Sequence, residues 1–146
     1  GADNFFEVAK SYPLGLSRFD AEKIVRDPFE PTAERGLRCF GDVPQGSFVH
    51  VLKGEPSSLI EAAGEAADAA RAVELPGGGP PSTLFFDCIS RVLYLESEFE
   101  RELAAVADRS DAPPVGALTI GEIATTGSEF LELHNKTAVV GVVDSI

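Results

Sequence analysis

The clearest periodic pattern in the chain lies between residues 58 and 73. Apolar residues recur there at steps of three and four, as they do along one stripe of an α-helix. They are Leu59, Ala63, Ala66, Ala70 and Val73. Ser58 and Glu61 stand three residues apart and predict a capping box at the start of this helix. Since most of the stripe is alanine, we expect close packing against a sheet, with Glu65, Asp68 and Arg71 facing solvent.

A second helical pattern spans residues 97–107. Phe99, Leu103 and Val106 share one stripe, which predicts an apolar face directed at the protein interior. The charged side chains between them are expected on the outside. They are Glu98, Arg101 and Glu102. The prolines at 113 and 114 end any helical segment, because proline lacks the backbone N–H and its ring clashes with the preceding turn.

Short runs of apolar and β-branched residues predict the strands. In chain order they are Glu22–Arg26, Gly36–Phe40, Ser47–Leu52, Thr83–Ile89, Val115–Ile123 and Lys136–Val143. Pro44 and Gly46 predict a turn between the second and third runs, which makes that pair a hairpin. The fourth run is apolar except for Asp87, and this pattern predicts a strand buried on both faces.

The predicted element order is β-β-β-α-β-α-β-β. Helices placed between groups of strands favour an α+β fold with a mixed, partly antiparallel sheet and two main helices. At 146 residues the chain is expected to form a single domain over residues 1–146. Residues 1–11 are a lead-in without a clear period. Residues 75–82 (LPGGGPPS) are predicted to be a mobile internal loop with no function of its own.

Charge narrows the classes of partner. The chain has 24 Asp and Glu against 12 Lys and Arg, a formal net charge of −12. A field of that sign repels phosphate groups, so we expect neither nucleic acid nor an anionic membrane surface as a partner. No apolar run reaches the ~18 residues that a membrane span needs. The acidity indicates either solubility alone or adaptation to high salt.

Cysteine and methionine usage bears on location and processing. Cys39 and Cys88 are the only cysteines, too few for a secreted disulfide scaffold, which predicts a cytoplasmic protein. The chain contains no methionine, even at position 1. We therefore interpret it as part of a longer protein, with Gly1 as the remnant of a cleaved tag.

Candidate site residues follow the predicted strands. Arg91 begins a loop after the run that contains Cys88, and the carboxyl ends of such strands carry ligand sites. Arg91 could clamp a carboxylate or be a surface charge, and Cys88 could line the pocket or fill the core. Glu122 ends the next apolar run and could pair with Arg91, receive a ligand amine or lie exposed. Asn135 could bind a ligand or hold a turn.

Catalytic and metal-binding patterns are absent from the sequence. It has no HExxH, GxSxG or CxxC motif and no glycine-rich phosphate loop before a helix. Because no nucleophile and base can be paired, we do not expect an enzyme. His50 and His134 share no metal-ligand spacing, and His50 alternates with Val49 and Val51, as on a solvated strand face.

Five short motifs, in this order, resemble the C-terminal half of FIST domains. They are Ile24-Val25-Arg26-Asp27-Pro28, Gly41-Asp42-Val43-Pro44-x-Gly46, Phe85-Phe86-x-Cys88-x-x-Arg91, Gly121-Glu122-Ile123 and His134-Asn135-x-Thr137. The resemblance extends from about Tyr12 to Val143, nearly the whole chain. FIST domains are intracellular sensory modules proposed to bind amino acids, and they occur beside signalling outputs such as histidine kinases. In the family's usual architecture another FIST half precedes this one.

The resemblance implies a cytoplasmic, non-catalytic sensory domain for a small ligand, with amino acids as candidates and no cofactor. Arg26, Arg91 and Glu122 would then bind charged groups, and Cys88 and Asn135 would line the site. The implied partners are other signalling domains of the same or a partner protein, and a second copy in a homodimer. Two alternatives stay open. One is a haem-dependent nitric oxide sensor with a histidine as axial ligand, and the other is a structural or dimerisation module of a larger signalling protein.

Overall fold

The structure is a computed structural model that describes residues 4–18, 21–76, 81–125 and 131–144. The helices in these ranges are α1 (Phe5–Ala9), α2 (Pro56–Arg71), α3 (Ile89–Leu95) and α4 (Phe99–Ala107), and a 3-10 turn lies at Glu96–Glu98. The strands are β1 (Leu14–Arg18), β2 (Ala21–Arg26), β3 (Pro28–Pro31), β4 (Leu37–Cys39), β5 (Val49–Val51), β6 (Ser82–Cys88), β7 (Val115–Thr119), β8 (Glu122–Ala124), β9 (Glu132–His134) and β10 (Ala138–Val143). This is an α+β fold with mixed sheets, which confirms the predicted class.

The strands form two three-stranded sheets and two smaller pairs. One sheet has the order β10-β6-β7, with β6 antiparallel to β10 and parallel to β7. The other has the order β2-β1-β5 and is antiparallel throughout. The remaining pairs are β3 with β4 and β8 with β9. Among the described residues no helix is long and apolar enough to span a membrane.

The predicted hairpin is wrong, although its turn is right. Ser47 donates its backbone N–H to the Pro44 carbonyl at 3.1 Å, and Gly46 has a φ of +89°, as the turn requires. The flanking strands nevertheless pair elsewhere, β4 with β3 and β5 with β1. Local turn chemistry fixed the bend, whereas segments distant in sequence supplied the strand partners.

The core lies between α2, α4 and one face of the β10-β6-β7 sheet. Ala63 and Ala67 of α2 pack with Phe85 of β6 and Val106 of α4. On β6 the alternate residues are buried, but Phe86 points the other way and is 38% exposed. The predicted burial of β6 on both faces is therefore wrong, because the helices cover one side of this sheet.

Helix α2 begins earlier than its predicted capping box. Pro56 occupies the first helical turn, where its missing N–H costs nothing, and Glu55 precedes it without a side-chain cap. Ser58 therefore lies inside the helix, and the predicted capping box is wrong. The buried face is rotated relative to the predicted stripe and shares only Ala63 with it. It consists of Ile60, Ala63, Gly64 and Ala67.

Helix α4 departs from its amphipathic pattern at Glu102. Val106 is buried as predicted, but Leu103 is 41% exposed and Glu102 is 0% exposed. The prediction that Glu102 faces solvent is therefore wrong. Burying a carboxylate requires a partner charge, and a neighbouring helix provides it.

Several further predictions differ from the structure. Helices α1 and α3 were not predicted. The run 115–123 is two strands, broken where Gly121 adopts a φ of +92°, and β10 starts at Ala138 rather than Lys136. Part of the predicted 75–82 loop, residues 77–80, lies outside the described residues.

Candidate functional site

Arg91 lies in α3, one turn after the end of β6, and is buried rather than in a loop or at the surface. Its Nε and Nη2 donate to Oε1 and Oε2 of Glu102 at 3.0 and 2.7 Å, a bidentate ion pair. Nε also lies 3.1 Å from Oδ1 of Asp87, and Nη2 donates to the Leu59 carbonyl at 2.9 Å. The predicted pair with Glu122 is not formed, and the guanidinium pairs with Glu102 and Asp87 instead. Asp87, Arg91 and Glu102 are called the Arg91 cluster below.

The Arg91 cluster holds two buried carboxylates and one buried cation. Burial, and then the charge of Glu102, raises the pKa of Asp87 to about 8. Neither carboxylate oxygen of Asp87 accepts a well-directed hydrogen bond from the described residues. A pKa of about 8 keeps the Asp87 carboxyl mostly protonated at neutral pH, so Asp87 then adds little negative charge to the cluster.

Glu122 and Cys88 meet at the carboxyl ends of the parallel strands β6 and β7. Cys88 pairs with Thr119 in register, and the Thr119 hydroxyl donates to Oε1 of Glu122 at 2.7 Å. Burial raises the pKa of Glu122. Hydrogen bonds from the Thr119 hydroxyl, the Cys88 thiol and the main chain of Thr137 partly oppose this shift. Gly121 precedes Glu122 and has a positive φ, a conformation that favours glycine. A Cβ atom at position 121 would also lie only 3.1 Å from the side-chain nitrogen of Asn135.

Arg26 and Asn135 cross-link segments of the main chain. Arg26 donates from Nε to the Asp42 carbonyl at 3.0 Å and from Nη1 to the Leu133 carbonyl at 2.7 Å, which ties β2 to β9. Asn135 accepts from the Asp27 N–H at 3.4 Å and donates to the His134 carbonyl at 3.1 Å. Both side chains are buried, and these contacts agree with the turn-holding alternative for Asn135.

A cavity of about 250 Å³ opens between the end of α1, the first turn of α2, and α3. Four cationic side chains line it. They are Lys10, Lys53, Arg91 and Lys136. None of the described residues that line it is acidic, although the chain as a whole has twice as many acidic as basic residues. We call it the cationic cavity.

Each of these cations is held by a partner outside the lining. Lys10 Nζ lies 2.9 Å from both Glu7 and Glu96. Lys53 pairs with Glu55 at 2.6 Å. The carboxylates therefore stand outside the lining residues, and the charged groups that the cavity presents are donors.

Lys136 has the most constrained position of the four. It sits in a turn with a φ of +54° and is almost fully buried. Its Nζ donates to the Ser90 carbonyl at 3.3 Å, lies 3.6 Å from Oδ1 of Asp27 and stands 5.6 Å above the Tyr94 ring centre. Desolvation lowers the pKa of Lys136, and the charge of Asp27 opposes that shift.

Of the five predicted site residues, only Arg91 lines the cationic cavity. The other four are buried nearby but outside its lining. They are Arg26, Cys88, Glu122 and Asn135. Sequence reasoning missed Lys10, Tyr94 and Lys136. Lys136 stands inside the motif His134-Asn135-x-Thr137 at the position that the motif leaves open, so the motif itself was the available signal.

Neither a histidine nor a cysteine is among the described residues that line the cationic cavity. His50 is exposed on β5, as predicted, and its Nε2 lies 2.7 Å from the Ser17 hydroxyl. Within the part of the chain that the structure describes, no group of His, Cys, Asp or Glu side chains is arranged to hold a metal ion.

Comparison with known proteins identifies the family but adds no relative. A family model described as FIST C domain matches residues 1–125. Searches of curated proteins and of solved structures each gave no match. The matched residues contain the first four of the five motifs quoted above, together with Arg91 and most of the cationic cavity.

Proposed function

Because this chain belongs to the FIST C domain family, whose members are signal-transduction sensory domains, we propose that it senses a small organic anion bound in the cationic cavity. Amino acids are the first candidates, the domain carries no catalysis, and it works in the cytoplasm beside other signalling domains. The observation that carries this proposal is the lining itself. The described residues that line this cavity include four cations and no acidic residue, in a chain of net charge −12.

We expect a carboxylate in this cavity to meet three donors. The Nε and Nη2 groups of Arg91 are committed to Glu102, but Nη1 makes only a 3.4 Å bond to the Lys136 carbonyl. Nη1 is thus the guanidinium nitrogen left for a ligand, beside the ammonium groups of Lys10 and Lys136. Charge-assisted hydrogen bonds of this kind are about twice as strong as neutral ones.

A bound anion also relieves the unfavourable position of Lys136. Burial disfavours the charged ammonium, and an anion in the cavity restores the electrostatic stabilisation that water would give. Binding is therefore expected to raise the pKa of Lys136 and to be weaker at pH values where this ammonium loses its proton.

The cavity volume limits the ligand to a small molecule. About 250 Å³ lies just below the ~300–1,000 Å³ typical of sites for drug-sized ligands. A free amino acid or a short organic acid meets that limit. The apolar part of the lining, including Val25, Leu52 and Leu59, would contact its carbon skeleton.

The proposal is tested by thermal shift and calorimetry with glycine, alanine, aspartate and acetate, with ethylamine as a cationic control. A ligand at 100 times its Kd adds ~2.7 kcal/mol to the free energy of unfolding. We expect stabilisation by carboxylates and none by ethylamine. Lys136→Gln should weaken carboxylate binding at least tenfold, whereas Arg101→Gln, the same charge change on an exposed side chain, should not.

Three outcomes would contradict the proposal. They are no stabilisation by any carboxylate, equal binding by folded Lys136→Gln and the parent chain, and a haem absorption band on titration with haem. The last outcome would favour the gas-sensor alternative, and the first would favour a structural or dimerisation module. Near-ultraviolet circular dichroism shows whether Lys136→Gln keeps the parent fold.

A further inference from the structure

A second, smaller cavity shares two lysines with the cationic cavity. It has a volume of about 130 Å³, and Lys10 and Lys136 belong to the lining of both. Its other walls are mainly apolar and come from α1, β3, the residue after β4, α3 and the residue after β7. They include Phe6, Phe29, Phe40, Ile89, Leu93 and Ile120. We call it the aromatic cleft.

The aromatic cleft is open to solvent at most of its apolar walls. Phe29 and Phe40 stack with ring centres 4.4 Å apart, so their positions are fixed by each other. Leu93 and Ile120 are 44% and 68% exposed. Large apolar side chains gathered around one exposed concave surface mark a place where apolar area is covered by something else.

Charge decides which part of a ligand enters each cavity. The aromatic cleft contains one carboxylate, that of Asp27, which is buried and lacks a well-directed hydrogen bond among the described residues. No carboxylate is found among the described residues that line the cationic cavity. The anionic end of a ligand is therefore favoured beside Arg91 and the cationic-cavity side of Lys10 and Lys136, and the uncharged end is favoured in the cleft.

The size of the cleft fits one ring or a branched alkyl group. An apolar cavity of about 150 Å³ in an engineered protein takes up benzene. The 130 Å³ of the aromatic cleft is close to that volume, and an edge or face of Phe29 or Phe40 gives an aromatic group favourable stacking geometry.

We infer that the ligand is an organic acid with an apolar, preferably aromatic, group, whose carboxylate lies in the cationic cavity and whose ring lies in the aromatic cleft. This inference rests on the proposed function and adds the ligand class. Lys10 and Lys136, which line both cavities, connect the two sites. Their ammonium groups bind the carboxylate, and their methylene stems continue the apolar wall of the cleft.

The test compares 3-phenylpropanoate, propanoate and 3-phenylpropan-1-ol by calorimetry on the chain at fixed pH and salt. Burying a phenyl group should make 3-phenylpropanoate bind roughly 10- to 100-fold more tightly than propanoate. The alcohol, which keeps the ring but lacks the charge, should bind at least tenfold more weakly than the acid.

Two variants show whether the ring occupies the cleft. Phe40→Ala and Ile120→Ala should bring the affinity for 3-phenylpropanoate close to that for propanoate and leave propanoate binding unchanged. Ile120 is mostly exposed, so its variant is expected to fold. Phe48→Ala is the matched control, because Phe48 is 79% exposed and lies outside both cavities.

The outcomes separate this inference from the proposed function. If propanoate and 3-phenylpropanoate bind equally, the assignment of the cleft is wrong while the anion site stands. If the alcohol binds as tightly as the acid, the two sites are not coupled through the lysines and the inference fails. If neither acid binds, the proposed function and the inference fail together.

Discussion

Two Arg–Glu ion pairs involve α4, and they differ mainly in burial. Glu102 on the inner face pairs with Arg91 of α3, and both are almost inaccessible to solvent. Glu98, just before the helix, pairs with Arg101 on the outer face, with side chains 42% and 64% exposed. Exposed pairs contribute ~0–1 kcal/mol, whereas breaking a buried pair leaves an uncompensated charge. Burial therefore decides which of these pairs the fold depends on.

The difference extends to protonation. Water and salt screen the charges of the outer pair. In the Arg91 cluster two carboxylates face one guanidinium without solvent, and one carboxyl retains a proton up to about pH 8. Arg91 also lines the cationic cavity, so the cluster borders the proposed site.

The largest expected effect comes from removing the cation. Arg91→Ala leaves Asp87 and Glu102 buried without a positive charge and should lower the free energy of unfolding by ~3–5 kcal/mol. Arg101→Ala is the control and should change it by less than about 0.5 kcal/mol. Urea denaturation at pH 7 measures both. Equal losses in the two variants would show that the Arg91 cluster is not a buried charge centre.

The second prediction concerns pH. Folding raises the pKa of Asp87 to about 8, so the folded state holds more protons than the unfolded state between about pH 4 and 8. This contribution to stability is complete below pH 4 and is lost as pH rises through 8. A shift of that size corresponds to roughly 2–3 kcal/mol between pH 6 and 9. The raised pKa of Glu122 acts in the same direction.

Asp87→Asn tests the assignment of that pH dependence. The amide imitates the protonated carboxyl, so the variant should lack the fall in stability with rising pH and match the parent chain only below about pH 4. Its advantage over the parent chain should therefore be larger at pH 9 than at pH 6. Asp111→Asn removes the same charge at an exposed position and should keep the parent's pH dependence. The free energy of unfolding is measured by urea denaturation from pH 5 to 9. If Asp87→Asn keeps the pH dependence of the parent chain, another group carries the proton.

The third prediction compares the two faces of α2. Ala63 is 0% exposed and packs against Phe85 and Val106, so Ala63→Leu should overpack the core and cost ~1–3 kcal/mol. Ala69 lies on the exposed face, and Ala69→Leu should change stability by less than about 0.5 kcal/mol. The midpoints of urea unfolding compare the two variants directly. A larger loss of stability in Ala69→Leu than in Ala63→Leu would place the buried face of α2 on the opposite side of the helix.

The sequence was informative where local chemistry decides the structure. The turn at Pro44–Gly46, the central strand β6 and the two longest helices follow from turn residues, β-branched runs and helical periodicity. The α+β class follows from the order of these elements. Strand pairing was less accessible, because β4 and β5 find their partners through contacts distant in the sequence.

The site was predicted in part, for a related reason. Arg91 stands out in the sequence because it follows an apolar run, but its partner Glu102 belongs to a helix whose own pattern places it outside. Lys10 and Lys136 come from opposite ends of the chain and share a wall only after folding. A cavity built from several segments leaves no periodic pattern in any one of them.

The smallest expected effect is that of salt, and it distinguishes the two ion pairs again. With a net charge of −12, repulsion destabilises the fold at low ionic strength, and the Debye length shrinks from ~30 Å at 0.01 M to ~3 Å at 1 M. We expect the Tm to rise by a few degrees over this range of NaCl. A continued rise beyond 1 M would indicate adaptation to high salt, and a flat or falling Tm would contradict the repulsion argument. The cost of Arg101→Ala should shrink towards zero in 1 M NaCl because its pair is screened. The cost of Arg91→Ala should stay nearly constant, since no counter-ion reaches carboxylates that water does not reach.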